Sequence, residues 1–177
     1  MTKPLNTIRE LSGHRAVTLP APFGSMDELI HHDVTEDERA WLPLGENQWT
    51  RPLVLNVSQG SWVSLFKGVG AGVLERHRHT NAVTGVTLGG TWGYLERDWI
   101  ARQGTFIYEP PGDTHTLFVH PEEGHMLAIF HMFGPILYVD EQGAVTGFDD
   151  VFTRTEAYLA HCREVGLGEN HLRSLLR

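Results

Sequence analysis

The chain has 177 residues, of which 41% are hydrophobic and 20% are charged, and its formal net charge is −8. This size and composition are typical of one globular domain with a sizeable core. The negative charge, without any block of Lys and Arg, argues against nucleic acid and membranes as partners, and no apolar run is long enough to span a bilayer.

The first 45 residues contain few patterns of strand length, so we expect residues 1–45 to form an N-terminal arm. Their start, MTKPLNTIRELSG, lacks the apolar stretch of a secretory signal peptide. The only cysteine, Cys162, cannot form an intrachain disulfide. Both features predict a cytoplasmic protein.

Residues 46–148 carry β-signals at short, regular spacing, which is typical of a sandwich or barrel rather than of βαβ units. RPLVLNV and SWVSLFKG are separated by a short turn, and PILYVDEQGAVTGF contains another hairpin. AVTGVTL and TWGYLERDWI are joined by Gly89-Gly90, which predicts a two-residue hairpin loop.

Residues 149–177 change period. Apolar residues recur at helical spacing from Val151 to Val165. Asp149 or Asp150 is a suitable N-cap, and Gly166 is a suitable C-terminal stop. The pattern predicts a single C-terminal helix followed by a short tail.

Two stretches carry candidate metal ligands. LERHRHTNAV places His77 and His79 two residues apart, so on a strand both imidazoles point to the same face. GTFIYEPPGDTH places His115 just after the rigid corner Pro110–Gly112. Three converging imidazoles are a site for a divalent transition metal, and the spacing alone suits Fe(II) and Zn(II) equally.

These stretches resemble the two motifs of the cupin superfamily, His-x-His and Gly-x5-Pro-x-Gly-x2-His. From about Leu65 to Gly166 the chain resembles the 2,4′-dihydroxyacetophenone dioxygenase family, above all in TWGYLERDWIARQGTFIYEPPGDTHTL and VFTRTEAYLAHCREVGL. The resemblance implies an all-β, single-domain jelly-roll barrel that binds Fe(II) through His77, His79 and His115. It also implies a reaction with O2 that cleaves a small aromatic hydroxyketone of aromatic catabolism into 4-hydroxybenzoate and formate.

Two positions depart from the usual cupin motifs. Val83 stands where the first motif has a carboxylate, and Val119 stands where the second has an Asn. The missing carboxylate favours a site of three imidazoles, which is also expected of the family and of the acetylacetone-cleaving cupins. We therefore keep two alternatives: a related cupin dioxygenase that acts on a β-diketone, and a non-catalytic cupin that binds or senses zinc.

The predicted Gly89-Gly90 hairpin gives a candidate for the missing carboxylate. In a two-residue loop Val83 lies opposite Glu96, and Gly85 lies opposite Tyr94. Glu96 would then point into the cavity as a fourth ligand or as a catalytic base. In the alternative interpretation, Glu96 is one charge of the polar run Glu96–Asp98 on a solvent-exposed edge. The aromatic residues that we expect to line the substrate pocket are Tyr94, Trp92, Trp99 and Tyr108.

The other face of the same hairpin is apolar. Val86, Leu88 and Leu95 would be exposed to water unless the N-terminal arm or another subunit covers them. We therefore expect a homo-oligomer, either a homodimer or a homotetramer.

Overall fold

A computed structural model of the chain describes residues 8–17 and 19–177, which fall into two compact units. The described part of the first unit, Met1–Ile30, contains one short helix, α1 (Ile8–Ser12). The second unit, His31–Arg177, contains the β-structure and begins earlier than residue 46, the predicted start of the barrel. Part of the predicted arm, residues 1–7 and Thr18, lies outside the described residues.

The second unit is mostly β-sheet with antiparallel strand pairing. Its strands are β1 (Leu42–Gly45), β2 (Gln48–Asn56), β3 (Ser61–Val69), β4 (Gly72–Val73), β5 (His77–His79), β6 (Val83–Gly90), β7 (Trp92–Tyr94), β8 (Phe106–Glu109), β9 (Thr114–His115), β10 (Leu117–Val119), β11 (His125–Met132), β12 (Ile136–Val139) and β13 (Val145–Asp149). They form a six-stranded sheet β1-β2-β3-β11-β6-β8, a three-stranded sheet β4-β10-β7 and a four-stranded sheet β13-β12-β5-β9. The fold is cupin-like, as predicted.

The barrel interior is built by alternation along the strands. In β3 and β11 the residues with even numbers, such as Phe66 and Phe130, point inward and pack with Trp92 and Leu117 of the smaller sheets. Burying each of these large apolar side chains stabilises the fold by about 1.5–3 kcal/mol. The six-stranded and three-stranded sheets therefore enclose a packed core that borders the cavity described below.

The outer face of the six-stranded sheet is partly covered by the chain that precedes β1. Trp41 packs there against Leu53 and Leu65, and all three side chains are buried. The imidazole Nε2 of His31 lies 2.9 Å from the carbonyl oxygen of Leu53. Because of these contacts, the segment from His31 to β1 belongs to the same compact unit as the sheet.

The C-terminal region contains two helices. Helix α2 (Val151–Glu164) begins at Asp150, whose carboxylate accepts hydrogen bonds from the backbone N–H groups of Phe152 and Thr153. A second helix, α3 (Glu169–Leu175), follows where the sequence predicted only a tail. Buried Cys162 lies in the cluster that joins the two helices to β2 and β3. Each helix in the described part of the chain is too short or too polar to cross a membrane.

The predicted hairpin at Gly89-Gly90 is wrong. Both glycines belong to the end of β6, which pairs with β11 and β8, whereas β7 pairs with β10 in another sheet. A Cβ atom on Gly90 would lie 2.0 Å from the carbonyl oxygen of His125, and its φ is +74°. The glycine is therefore explained by a close approach between strands at an irregular end of the ladder, not by a tight turn.

Candidate metal centre

Strand β5 carries the first two histidines. His77 and His79 flank Arg78, so the alternation of the strand turns both imidazoles to one face. The strand is held on one side by β12, where Ile136 lies opposite His79. On its other side it pairs with β9. The direction of both rings is thus set by a ladder with a neighbour on each edge.

The third histidine lies on β9, directly across the ladder from His77. The corner before it is tied to β5, because the N–H of Gly112 donates a hydrogen bond of 2.8 Å to the carbonyl oxygen of His79. Gly112 has a φ of +84°, a conformation that glycine adopts at little cost. Pro110 and the glycine together turn the chain so that His115 faces the two histidines of β5.

The three imidazoles meet inside the barrel. Their ring centroids are 4.9 Å apart for His77 and His79, 4.7 Å for His77 and His115, and 5.1 Å for His79 and His115. One ring nitrogen from each lies within 4.8 Å of the others. The three histidines are therefore positioned for a metal ion.

One hydrogen bond, at His77, and one longer polar contact, at His115, lie on the far side of the rings and leave the other nitrogen facing the centre. The Nδ1–H of His77 donates to the carbonyl oxygen of Glu75 at 2.9 Å, and Nδ1 of His115 lies 3.5 Å from Oδ2 of Asp113. These partners leave Nε2 free as the ligand atom, as is usual when a second group orients a ligating histidine.

Burial keeps the imidazoles ready to ligate. Burial, followed by the proximity of His79, lowers the pKa of His77 to about 4. Burial also lowers the pKa of His115. Because only a neutral imidazole offers a lone pair to a cation, these directions favour metal binding at neutral pH.

Glu109, which the sequence reading missed, lies beside the histidines. It is 4% exposed, and its Oε2 is 3.2 Å from Nε2 of His79 and 3.5 Å from Nε2 of His115. Ligand atoms that share one ion through bonds of about 2.0–2.2 Å lie about 3.0–3.5 Å apart, so these separations suit a common centre. Burial raises the pKa of Glu109, but the close contacts of its carboxylate with His79 and His115 outweigh burial and leave its pKa below the ordinary value.

Glu109 lies where a carboxylate was expected across the ladder from Val83. Strand β8, rather than the segment after β7, pairs with β6, and Val83 lies opposite Glu109. The signal for it was present in FIYEPP, where the carboxylate occupies the same strand face as Ile107. Glu109 can be predicted to face the site only if β6 is known to pair with β8, and the Gly89-Gly90 pair had predicted a different partner for β6.

Tyr94 fixes the orientation of this carboxylate. Its O–H donates a short hydrogen bond to Oε1 of Glu109, and its ring stacks on His115 at a centroid distance of 3.8 Å and an interplanar angle of 6°. Burial, then the charge of Glu109, raises the pKa of Tyr94 well above its ordinary value, so it remains a donor. Oε1 is thereby occupied, and Oε2 is left facing the imidazoles.

Glu96 does not take the predicted position. Its carboxylate accepts hydrogen bonds of 2.8 Å from both the backbone N–H and the Oγ1–H of Thr116, and Arg76 lies 4.0 Å away. It is not among the residues that line the cavity of the three histidines. The predicted register failed because the chain leaves β6 for another sheet, and Glu96 falls in the turn after β7.

Of the four aromatic residues predicted to line the pocket, only Tyr94 does so. Trp92 is buried in the core, where its indole N–H donates to Oγ1 of Thr87 at 2.9 Å. Trp99 and Tyr108 are 39% and 61% exposed and line a separate groove, which Tyr94 and Glu109 also border. Tyr108 alternates with inward-facing Glu109 and must therefore point outward.

The cavity next to the histidines has a volume of about 270 Å³. Its walls are mainly apolar, and its polar groups lie near the histidines, near helix α2, and on β2 and β3 at Gln48, Thr50 and Ser64. The apolar wall residues are Leu44, Trp62, Phe66, Leu74, Val83, Leu117, Phe130, Met132 and Ile136. The polar residues near α2 are Tyr138, Asp149 and Arg154. An apolar pocket with a few converging polar groups is the usual form of a small-molecule site.

The donor set fits a divalent ion. Nε2 of His115 is buried and has no hydrogen-bond partner among the described residues, and the same is true of Oε2 of Glu109. Leaving such atoms unpaired costs about 1–3 kcal/mol each, so they indicate a missing cation. Three imidazoles with a carboxylate nearby are a donor set for Fe(II) or Zn(II).

We expect replacement of His79 by Ala to abolish stoichiometric metal binding, because one of three imidazoles is lost from a buried site. The loss in affinity should exceed the 10–100-fold that removal of an outer partner of a ligand typically costs, so we expect more than about 100-fold. Metal content measured by inductively coupled plasma analysis tests this, with the exposed His125→Ala as the matched control. Equal metal content in both variants would contradict the site.

Comparison with solved structures finds the same architecture elsewhere. An RmlC-like cupin protein from Ralstonia eutropha JMP134 is 25% identical, with a TM-score of 0.66 over 70% of this chain and 82% of that chain. A protein of unknown function with a cupin-like fold from the same organism is also 25% identical, with a TM-score of 0.66 over 76% and 89%. An acetylacetone dioxygenase from Acinetobacter johnsonii is 15% identical, with a TM-score of 0.65 over 80% and 99%, which shows a shared fold.

Comparison with curated proteins gives no match. The sequence profile of the ChrR cupin-like domain, however, matches residues 31–136, more than half of the chain. The matched region begins at the first residue of the β-unit and includes all three histidines. The chain belongs to the ChrR cupin-like domain family.

Proposed function

We propose that the chain is a non-haem iron dioxygenase that cleaves 2,4′-dihydroxyacetophenone with O2 to 4-hydroxybenzoate and formate. The observation that carries the proposal is the cavity itself, in which a three-histidine site with an adjacent carboxylate opens onto apolar walls that suit an aromatic ring. Both oxygen atoms of O2 enter the products, so the reaction needs no further reductant.

His77, His79 and His115 are the proposed ligands. When bound, the iron supplies the Lewis acidity that polarises the ketone and the redox chemistry that allows O2 to react. The three neutral imidazoles do not offset the charge of the ion and the nearby carboxylate of Glu109 offsets only part of it, which favours a substrate that offers two adjacent oxygen atoms.

Glu109 is the proposed proton acceptor. Its Oε2 faces the imidazoles, and its pKa lies below the ordinary value, so the carboxylate is ionised at neutral pH. It can accept the C–H proton of the hydroxymethyl group of the substrate, and the C–H electron pair then forms an enediolate in which the former carbonyl carbon is electron-rich and open to attack by oxygen. Tyr94 holds the carboxylate in this orientation through Oε1.

A β-diketone such as acetylacetone is the second candidate substrate. The acetylacetone dioxygenase from Acinetobacter johnsonii shares the fold. The aromatic wall residues Trp62, Phe66 and Phe130 and the polar group at α2 favour the aromatic substrate over a small aliphatic one. The third candidate is a zinc-binding cupin without catalysis. It gives no role to the buried carboxylate of Glu109 beside the histidines, and for this reason we place it last.

Oxygen uptake tests the proposed reaction. We expect iron-loaded protein to consume one O2 for each 2,4′-dihydroxyacetophenone cleaved and to release equal amounts of 4-hydroxybenzoate and formate. Acetylacetone should give a much lower kcat/KM, and zinc-loaded protein should give no uptake. Stoichiometric zinc in the purified protein, together with no uptake after iron loading, would replace the proposal with the zinc-binding candidate.

The role of Glu109 is tested by Glu109→Gln, which preserves size but removes the basic carboxylate. We expect kcat to fall by about 10²–10⁴-fold, the range for loss of a general base, while metal content stays stoichiometric. Glu96→Gln is the matched control, because the Glu96 carboxylate contacts Thr116 outside the cavity. Unchanged kcat in Glu109→Gln, or loss of the metal, would show that Glu109 is not the proton acceptor.

The proposal includes a cytoplasmic location and assembly into a homodimer or homotetramer. Support for the oligomer comes from apolar side chains on the outer face of the six-stranded sheet, where Val86 lies opposite Phe106 and Phe106 is 64% exposed. Leu88, near the end of the same strand, is exposed too, whereas Leu95 lies in the turn after β7, outside this sheet. Light scattering should give at least twice the 19.9 kDa mass of one chain; a stable particle of that mass would contradict the proposal.

A further inference from the structure

A buried arginine lines the cavity near helix α2 and has an unused donor. Arg154 lies in the first turns of α2 and is 6% exposed. One of its terminal nitrogens donates to Oδ2 of Asp149, but its Nε–H is buried without a hydrogen-bond partner among the described residues. A buried unpaired donor on a charged group is costly, and an acceptor supplied by a ligand removes that cost.

Asp149, the partner of Arg154, is itself held by hydrogen bonds from two other side chains. Oδ2 of Asp149 also accepts a hydrogen bond of 3.0 Å from the phenol of Tyr138, and Oδ1 accepts one of 3.1 Å from Oγ1 of Thr153. Burial and the charge of Asp149 raise the pKa of Tyr138 to about 12, so its phenol remains a donor to Asp149. The acidic group is therefore satisfied by protein donors, whereas Nε of Arg154 is not.

The position of this group relative to the metal site follows from the ladder of β12 and β5. Tyr138 lies directly opposite His77, and directly opposed residues have Cβ atoms about 4.5–5.5 Å apart on one face. Both side chains line the cavity. The phenol of Tyr138 reaches Asp149, which pairs with Arg154, so Tyr138 connects the strand position opposite His77 with this ion pair.

The rest of the cavity wall is mainly apolar, and its polar residues include Gln48, Thr50 and Ser64. Trp62, Phe130, Met132 and Ile136 line the cavity, and Trp62 and Phe130 are buried. A matching ligand has two adjacent oxygen atoms at one end, a flat apolar body, and a hydrogen-bond acceptor at the opposite end. A ring hydroxyl para to the ketone has this relation to the oxygen atoms that would meet the metal.

We propose that Arg154 binds the ring hydroxyl oxygen of a para-hydroxyaryl ketone through its Nε–H and thereby selects this substrate over aryl ketones without the hydroxyl. The assignment rests on the proposed function for the identity of the reacting ketone. The interaction is remote from the reacting carbon, so Arg154 is a specificity residue and takes no part in proton transfer.

Two substrates and one conservative variant test the assignment. For the wild type we expect kcat/KM for 2,4′-dihydroxyacetophenone to exceed that for 2-hydroxyacetophenone by about 10- to 150-fold, the range that a hydrogen bond to a charged group gives. In Arg154→Lys the Nε–H donor is lost but the charge facing Asp149 is kept, and the preference should fall to less than about threefold. Arg163→Lys, at an exposed position of the same helix, should retain the full preference.

Binding without turnover separates this assignment from the proposed reaction. Calorimetric titration of iron-loaded protein without oxygen should show tighter binding of 4-hydroxyacetophenone than of acetophenone, and Arg154→Lys should lose the difference. Discrimination in binding without any turnover of 2,4′-dihydroxyacetophenone would reject the reaction and retain the role of Arg154. Turnover without discrimination in either assay would reject the role of Arg154 and retain the reaction.

If Arg154→Lys does not fold, as judged by circular dichroism, the double variant Arg154→Met with Asp149→Asn replaces it. That variant removes both charges of the buried pair together, which avoids leaving either one unpaired. It should bind the two acetophenones equally. Retention of the wild-type preference in this variant would overturn the assignment.

Discussion

The centre of the structure is one row of residues across the four-stranded sheet, in which Tyr138, His77 and His115 lie side by side on β12, β5 and β9. Strand pairing places the three side chains on a common face, and His79 follows two residues later on β5. The three imidazoles meet because backbone hydrogen bonds fix three strands. A shift of β9 by one residue would turn His115 away from the other two rings.

The position of the imidazoles determines where charge is favoured in the interior of the barrel. Three buried neutral rings and the carboxylate of Glu109 together form a site that is incomplete without a cation. Tyr94 contributes twice, because it stacks on His115 and occupies Oε1 of Glu109. At the other end of the cavity, Asp149 and Arg154 form an ion pair with one donor to spare. A mainly apolar wall lies between the histidines, which are positioned for a metal ion, and the ion pair at α2, which we propose to select the substrate.

Sequence reasoning reached the β-fold and the three histidines because these depend on local patterns. Alternation puts His77 and His79 on one face, and the proline corner before His115 is visible in the sequence. The cupin-like fold was confirmed. The N-cap of α2 was predicted at Asp149 or Asp150 and lies at Asp150, because capping depends on residues a few positions apart.

The missed features depend on strand pairing over a longer range. Glu109 faces the site only because β8 pairs with β6, whereas the glycine pair suggested that the next segment would do so. The same error placed Glu96 in the cavity. Arg154 reaches the cavity only because α2 packs against the barrel, and helical spacing alone does not identify the residue that turns toward a cavity.

The central claim is that three imidazoles of this chain hold one ion, and X-ray absorption spectroscopy at the metal edge tests it most directly. The account predicts a single metal per chain with the multiple-scattering signature of about three imidazoles at about 2.0–2.2 Å. A first shell of oxygen atoms without imidazole scattering, in protein that carries its metal stoichiometrically, would contradict it.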